Sequence, residues 1–343
     1  MSILVVGAGF SGAVIARELA EAGKRVDVID ARHHVGGNAF DYINAWGIRV
    51  HKYGPHLFHT KHKDIWDWVS KYTAWLSYQH RVKALLSDGH FVTLPPNRET
   101  RRILGSDKAV IDTLFRPYSR KMWGMELEEM DPSIVARIPL RDDDNELYFP
   151  NDPFQGMPAE GYTAIFQKIL DHPNISVRLN TQFQPGMEKV YEHVFNSAAI
   201  DLHYGYIFGD LPYRSIKFRH YNIPTNSYAP CLNPAPVINF TDDGPVTRVT
   251  EWKQIPGHGS NDYLTTLTEE TPCDYRDNDR ERYYPVKDVS GKNQKAYLKY
   301  LAHSKRESPN MTFIGRCGLY QYLDMDQAIA TALNIVKKYL ATS

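Results

Sequence analysis

The stretch SILVVGAGFSGAVIARELAEAGKRVDVID, Ser2–Asp30, carries the reading that decides the fold. Ile3 to Val6 is a short, continuous apolar run of the kind that a parallel strand covered on both faces requires. Gly7, Gly9 and Gly12 follow in GxGxxG spacing, Ala13 to Ala22 has helical periodicity, and a second apolar run, Val26 to Ile29, ends in Asp30. Strand, glycine turn, helix, strand and acid in this order predict a dinucleotide-binding unit. In such a unit Gly7 permits the tight turn, Gly9 lets the backbone approach a pyrophosphate, and Gly12 lets the helix pack close to the sheet. The helix amino terminus faces the negative charge, and Asp30 is placed to accept from a ribose hydroxyl.

The next stretch, ARHHVGGNAFDY, sets Arg32 and then Gly36, Gly37 and Asn38 at close range behind the acidic strand end. This resembles the second FAD-contacting motif of the glutathione-reductase-like flavoproteins, so FAD is expected in preference to NAD. The chain has 343 residues, enough for two or three packed units. Lys+Arg 40 against Asp+Glu 40 leaves no net charge, which argues against a nucleic-acid partner and leaves anionic ligands to local clusters. Cys231, Cys273 and Cys317 are widely separated with no metal-ligand spacing, which predicts a reducing, cytoplasmic home and no metal. The apolar amino-terminal run lacks a basic flank and breaks at glycines, so it is read as folded structure and not as a signal peptide. No segment has the length of a membrane span.

Beyond the first unit, His62 to Trp75 has helical spacing, and RVKALLSDGHFVTLPPN reads as a hairpin around Asp88-Gly89. Arg98 to Ile138 is helical again. GYTAIFQKILDHPNISVRLNTQF predicts helix, turn and strand, YEHVFNSAA another strand, and residues 201–297 turn to strand-like aromatic segments. The fold class expected is α/β: a glutathione-reductase-like FAD-binding Rossmann domain with an inserted helical domain and an antiparallel β-sheet domain. The FAD-binding domain is discontinuous, over 1–75, 158–205 and 300–343. The helical domain spans 98–140, and the sheet domain draws on 76–97, 141–157 and 206–299.

FRPYSRKMW interleaves Phe115, Tyr118 and Trp123 with Arg116, Arg120 and Lys121, and Arg137 follows in ARIPLR. Aromatic rings stack on bases and guanidinium groups pair with phosphate oxygens, yet Arg116, Arg120 and Lys121 read better as the solvated end of a helix. YGPHLFHT, YSRKMW with ARIPLR, YFPNDPFQGMPAEGYT, GPVTRVTEWK, ERYYPV and GRCGLYQYLDMD together resemble the bacterial UDP-galactopyranose mutases, in order and over nearly the whole chain. The resemblance implies a flavoenzyme that interconverts the pyranose and furanose forms of a nucleotide sugar, redox-neutral overall. N5 of reduced FAD would attack the anomeric carbon.

Carried over by position, the phosphate-binding arginines fall on Arg137, in a mobile lid, and on Arg248. The paired histidines of the flavin-facing loop fall on His56 and His59. The substrate residues fall on Trp66, Phe115, Tyr118, Trp123, Tyr148, Asn239, Tyr284, Tyr322 and Asp324. Arg316, Leu323 and Met325 would lie against the flavin, with the amino terminus of the helix starting near Asp326 facing its pyrimidine edge and Asp as its cap. Leu114, Met122 and the acidic RDDDNELYF depart from the family pattern and leave the nucleotide and sugar open among UDP-galactose, UDP-N-acetylgalactosamine and dTDP-fucose. An external reductant such as NAD(P)H or a reductase is implied, and a homodimer is what the family suggests. An amine-oxidase-like flavoenzyme shares the first two motifs, but it would oxidise its substrate.

Overall fold

A computed structural model describes residues 2–130, 140–226, 228–259 and 261–342. Ile3–Val6 forms a strand whose four side chains are all buried. Alternation along it divides the interior in two, because successive side chains leave opposite faces of a sheet. Ile3 and Val5 join a core with the helices Phe10–Glu21, Tyr162–Leu170 and Met325–Leu340. Leu4 and Val6 join another with Tyr297 and Tyr300 of the helix Lys292–Glu307. Each aliphatic side chain so buried contributes about 1.5–3 kcal/mol, which is why a run without polar alternation is stable only here.

Five parallel strands make this sheet, in the order Ile175–Arg178, Val26–Ile29, Ile3–Val6, Val194–Asn196 and Met311–Phe313. The two strands and the first helix read from the opening stretch are present, with the helix beginning at Phe10. A Cβ on Gly12 would lie 1.9 Å from the Gly7 carbonyl oxygen, so helix and turn approach as closely as the fingerprint requires.

A second sheet has seven strands, in the order Tyr284–Pro285, Tyr213–Pro224, Leu264–Asp274, Arg248–Glu251, Val237–Phe240, Val82–Leu85 and Phe91–Leu94. The hairpin around Asp88-Gly89 is its edge. The sheet is mixed and not wholly antiparallel, because Val237–Phe240 runs parallel to Val82–Leu85, a pairing between strands far apart in the chain that no local turn could disclose. Residues 141–157, grouped by sequence with this sheet, place Phe154–Pro158 elsewhere: it pairs with Phe58–Thr60 and Trp75–Ser77 in a separate three-stranded sheet. Between 98 and 130 the chain is helical, with a π-helical turn at Ile111–Phe115 leading into Arg116–Trp123. Arg116 pairs with Asp112, Glu126 and Glu128, Arg120 with Glu126, and Lys121 with Asp242, so these cations are satisfied within the protein.

One buried carboxylate joins the first unit to the return of the chain at 162. Asp41, 2% exposed, accepts from the Tyr162 and Thr163 amides at 2.8 and 2.9 Å, capping a helix whose own preceding residue, Gly161, has no side chain to do so. Arg49 lies 3.4 Å away across the adjoining strand pair. Asp41→Ala leaves Arg49 and two helix amides without their partner, and removal of one member of a buried pair costs about 3–5 kcal/mol. The denaturation midpoint of this variant is expected to fall sharply in urea, and a midpoint like that of the parent would contradict the role.

Candidate active site

Strand register assembles the centre of the site. Asn239 stands opposite Arg248, and Arg248 opposite Glu270, on three neighbouring strands. Directly paired residues present their side chains on the same face, and all three line one cavity of about 450 Å³. That volume is in the range of small-molecule sites. The Arg248 Nε lies 2.8 Å from Glu270, a carboxylate only 1% exposed. Burial alone would lower the arginine pKa, but Glu270 and the neighbouring tyrosines outweigh it and hold the cation well above its ordinary value. Glu270 Oε1 and Asn239 Oδ1 are buried without a hydrogen-bond partner, and the Arg248 Nε contact with Glu270 lacks good hydrogen-bond alignment. Such groups are costly unless a ligand satisfies them.

Around this row stand other residues anticipated from sequence. Phe115, Tyr118 and Tyr148 lie on the wall, as do His56 and His59. Burial pushes the Tyr118 hydroxyl up to about 12 and raises those of Tyr148 and Tyr322, so they are neutral donors at neutral pH. Tyr284 and Tyr322 stack with ring centroids 5.5 Å apart, and the Arg316 guanidinium lies 5.0 and 4.9 Å from their centres. Arg316 also donates to the Leu323 carbonyl at 2.5 Å, tying the tyrosine pair to the entry of the carboxyl-terminal helix. That helix starts at Met325 with a capping box, Asp324 as its cap and the Asp324 amide donating to Gln327 at 3.1 Å.

Two tryptophans are not on the wall. Trp123 ends its helix and meets Tyr284 edge-on at 6.1 Å, behind the ring that lines the cavity. Trp66 stacks on Trp75 at 4.4 Å and on Phe154 at 5.8 Å, covering the three-stranded sheet, because its helix turns Ile65, Trp68 and Val69 into the core. Leu323 is buried and takes part through its carbonyl. Arg137 lies outside the described residues. Glu270, Tyr53, His80 and Phe149 line the cavity without having been anticipated. For Glu270 the signal exists only in the register, which a single strand does not reveal.

The histidine loop is arranged by neutral rings. His56 Nδ1 donates to the Gly54 carbonyl at 2.9 Å, which leaves Nε2 as an acceptor. The His56 amide donates to His51 Nδ1 at 3.0 Å, so His51 carries its proton on Nε2 and donates to His258 Nε2 at 3.0 Å. His258 in turn donates from Nδ1 to the Pro256 carbonyl at 3.0 Å. Burial lowers all of these: His56 and His258 to about 4, and His51 well below its usual value. Thr60, one residue after His59, donates to Asp326 at 2.9 Å and pins the loop to the carboxyl-terminal helix.

The glycine segments that run into two of the cavity's residues, Asn38 and Arg316, suit an extended dinucleotide. The helix Phe10–Glu21 begins at Gly9 with no side-chain cap. A Cβ on Gly37 would lie 3.0 Å from the Gly9 Cα, so the two glycine segments form a backbone cradle at the helix start. Asp30 accepts from the Ala8 amide at 2.8 Å and the Arg32 amide at 2.9 Å. Arg32 donates to Asn38 at 2.9 Å and pairs with Glu281 at 2.7 Å. From the cradle, Gly37 passes directly to Asn38, and Gly315, 3.4 Å from Ser11 at its Cβ position, passes to Arg316; both successors line the cavity. A pyrophosphate at the uncapped helix and a flat ring system against Asn38, His56, Arg316 and Met325 fit this donor set. Among the described residues no acidic, histidine or cysteine cluster is arranged for a metal ion. The three cysteines are unpaired, with burial pushing the Cys317 thiol up to about 11, too high for a thiolate nucleophile at neutral pH. No described helix is long and apolar enough to cross a membrane.

Residues 113–322 match the family model for UDP-galactopyranose mutase, and residues 5–72 match that for an NAD(P)-binding Rossmann-like domain. The chain is 36% identical over 379 residues to a probable UDP-galactopyranose mutase of Klebsiella pneumoniae, covering 99% of this chain and 95% of the relative. It is also 36% identical over 381 residues to dTDP-fucopyranose mutase of Escherichia coli, covering 98% of each. Among solved structures, a reduced UDP-galactopyranose mutase superimposes with a TM-score of 0.76 at 16% identity, covering 100% of this chain and 96% of the other.

Histidines whose folded pKa is depressed stabilise the fold fully above the unfolded value near 6.5 and lose that contribution as pH falls through the folded value. Urea midpoints are therefore expected to decline between pH 6.5 and about 4, where the unfolded chain takes up protons on His56 and His258 that the folded chain excludes. Replacing His258 by Gln should flatten that decline; an identical slope in the variant would show that the pair does not govern it.

Proposed function

This chain belongs to the UDP-galactopyranose mutase family, and on that premise we propose that it interconverts UDP-galactopyranose and UDP-galactofuranose. It is a mutase of a nucleotide sugar with FAD as its cofactor. The observation that carries the reading is the row Asn239, Arg248 and Glu270 on the same cavity as Asn38, Arg316 and Met325.

Bound and reduced, FAD supplies an electron-rich N5 able to displace the nucleoside diphosphate from the anomeric carbon. The chain's residues bind, orient and neutralise. Arg248 takes the diphosphate, because Glu270 occupies its Nε side and leaves the terminal nitrogens of the fork for phosphate oxygens. Tyr118 and Tyr148 donate as neutral hydroxyls, so charge at the leaving group is met by arginine and dipoles without a competing anion. Asn239 Oδ1, buried and unpartnered, accepts from a sugar hydroxyl. Tyr322 and Asp324 close the sugar side, Phe115 meets the base, and Trp123 acts through Tyr284. The amino terminus of Met325–Leu340, with Met325 on the cavity wall, would favour negative charge on a flavin held there. Arg137 enters as the second diphosphate arginine on the strength of ARIPLR alone.

We assign the reaction to the cytoplasm, with which three free thiols agree. NAD(P)H or a reductase serves only to prime the flavin, and a homodimer is part of the same reading. The equal identity to a dTDP-fucopyranose mutase makes the nucleotide and sugar a matter for direct assay. Protein primed with dithionite is expected to turn UDP-galactopyranose into its furanose, separated by chromatography, faster than dTDP-fucopyranose or UDP-N-acetylgalactosamine; a preference for either of the others would reassign the substrate. Truncating a buried hydrogen-bonded charge costs about 2–5 kcal/mol, so Arg248→Ala should lose at least about 30-fold in kcat/KM. It also strands Glu270, so Arg248→Lys provides the control: normal folding and flavin content with a large loss of turnover support phosphate binding by the fork, and parental turnover contradicts it.

A further inference from the structure

His59 lies on the cavity wall with a carboxylate behind it. Its Nδ1 is 2.7 Å from Asp152 Oδ2, and both side chains are largely buried, at 20% and 15% exposure. A carboxylate at this distance only accepts, so Nδ1 carries the proton and Nε2 is the nitrogen available to a ligand. Among the described residues Nε2 makes no hydrogen bond. Phe149 stacks on the imidazole with centroids 3.5 Å apart and planes 14° from parallel, which fixes the ring plane.

The support for this pair is itself built into the sheet. Gln155 is the register partner of His59, and its side-chain amide donates to the Phe149 carbonyl at 2.8 Å and to the Asp152 carbonyl at 2.7 Å. One residue therefore holds both the ring that stacks on His59 and the acid that bonds it. Of the other charged groups nearby, Lys61 reaches Asp152 Oδ1 at 3.9 Å. His80, held down to about 3 by burial with Arg248 and His59 adding to the effect, stays neutral.

The ring interchange demands such a group. In the pyranose O5 is bonded to C1 and O4 bears a proton; in the furanose O4 is bonded to C1 and O5 bears the proton. One proton must pass from O4 to O5, whatever happens at C1. Resting on the mutase reading above, we propose that Asp152 is a positioning residue that holds His59 as the carrier of this proton. As C1–O5 breaks, its electron pair stays on O5. As C1–O4 forms from the O4–H electron pair, neutral Nε2 takes the hydroxyl proton, and the imidazolium so formed beside Asp152 passes that proton to O5, which restores the starting Nδ1-protonated ring. The reverse reaction uses the same steps in the opposite order.

The test uses FAD-loaded protein with Asp152→Asn, Asp152→Ala and His59→Ala. Nitrogen-15 NMR of the histidine rings is expected to show His59 protonated at Nδ1 in the parent and a shift toward the Nε2-protonated tautomer in Asp152→Ala. General acid–base catalysis contributes about 100- to 10,000-fold. The Asp152 variants should accordingly lose about 10- to 100-fold in kcat with KM within about twofold and flavin content unchanged. His59→Ala should regain part of its kcat on addition of free imidazole, which a merely structural role would not allow. Parental kcat and an unmoved tautomer in both Asp152 variants would overturn the proposal, as would a loss expressed only in KM. If the parent makes no furanose, the mutase reading fails; if it does and the variants match it, only this inference fails.

Discussion

The register between Arg248–Glu251 and Leu264–Asp274 is the constraint on which the site depends. It sets Arg248 across from Glu270, and the neighbouring strand sets Asn239 across from Arg248. A slip of one residue would turn the row to the other face of the sheet, removing the cation from the cavity and exposing its partner. The pair is expensive to bury, since taking two charges out of water costs several kcal/mol per ion before their attraction is counted. Its alignment is imperfect, and Glu270 and Asn239 each retain an unbonded oxygen. The row is thus held short of full satisfaction by packing around it, and an anionic, hydroxyl-rich ligand has the groups to complete it.

The cavity is lined by strands of the seven-stranded sheet and by the segments that carry Asn38, His56, Arg316 and Met325, and a few polar links hold these together. Arg32 from the first unit pairs with Glu281 ahead of Tyr284–Pro285, Arg316 reaches the Tyr283 and Leu323 carbonyls, and Thr60 reaches Asp326. These links tie the elements that carry the glycine cradle to those that line the cavity, so a cofactor on the one and a ligand in the other can meet in one chamber. His51, His56, His258, Tyr118, Tyr148 and Tyr322 are kept neutral by burial, whereas Arg248 is kept charged by Glu270. Positive charge is thereby concentrated where a diphosphate would leave. The same burial makes the fold sensitive to acid, because protons must enter sites built to exclude them.

Family membership and local geometry answer different questions. A shared fold does not settle chemistry, and similarity of equal strength to enzymes of different nucleotide sugars leaves the substrate to the contacts of the chamber. The paired histidines illustrate the point. Sequence presents them as two members of PHLFHT, three residues apart. In the fold their supports differ: His56 is held by backbone carbonyl and a chain of neutral rings, His59 by an acid and a stacked phenylalanine. The two are not interchangeable, and their variants should not behave alike.

Much was legible in the chain alone because it is encoded locally. Ile3–Val6, Val26–Ile29 and the glycines between them declare their structure through apolar runs and backbone conformations that few other residues allow. The hairpin at Asp88-Gly89 and the cap at Asp324 are likewise short-range. Only the tertiary structure could decide which strand lies beside which. The parallel pairing of Val237–Phe240 with Val82–Leu85, the placing of Glu270 against Arg248, the withdrawal of Trp66 into an aromatic stack and the meeting of Asp152 with His59 all join residues distant in sequence. Periodicity reports which face of an element is buried; it carries no information about the partner that buries it, because burial is rewarded by area while contact is chosen by the geometry of the whole chain.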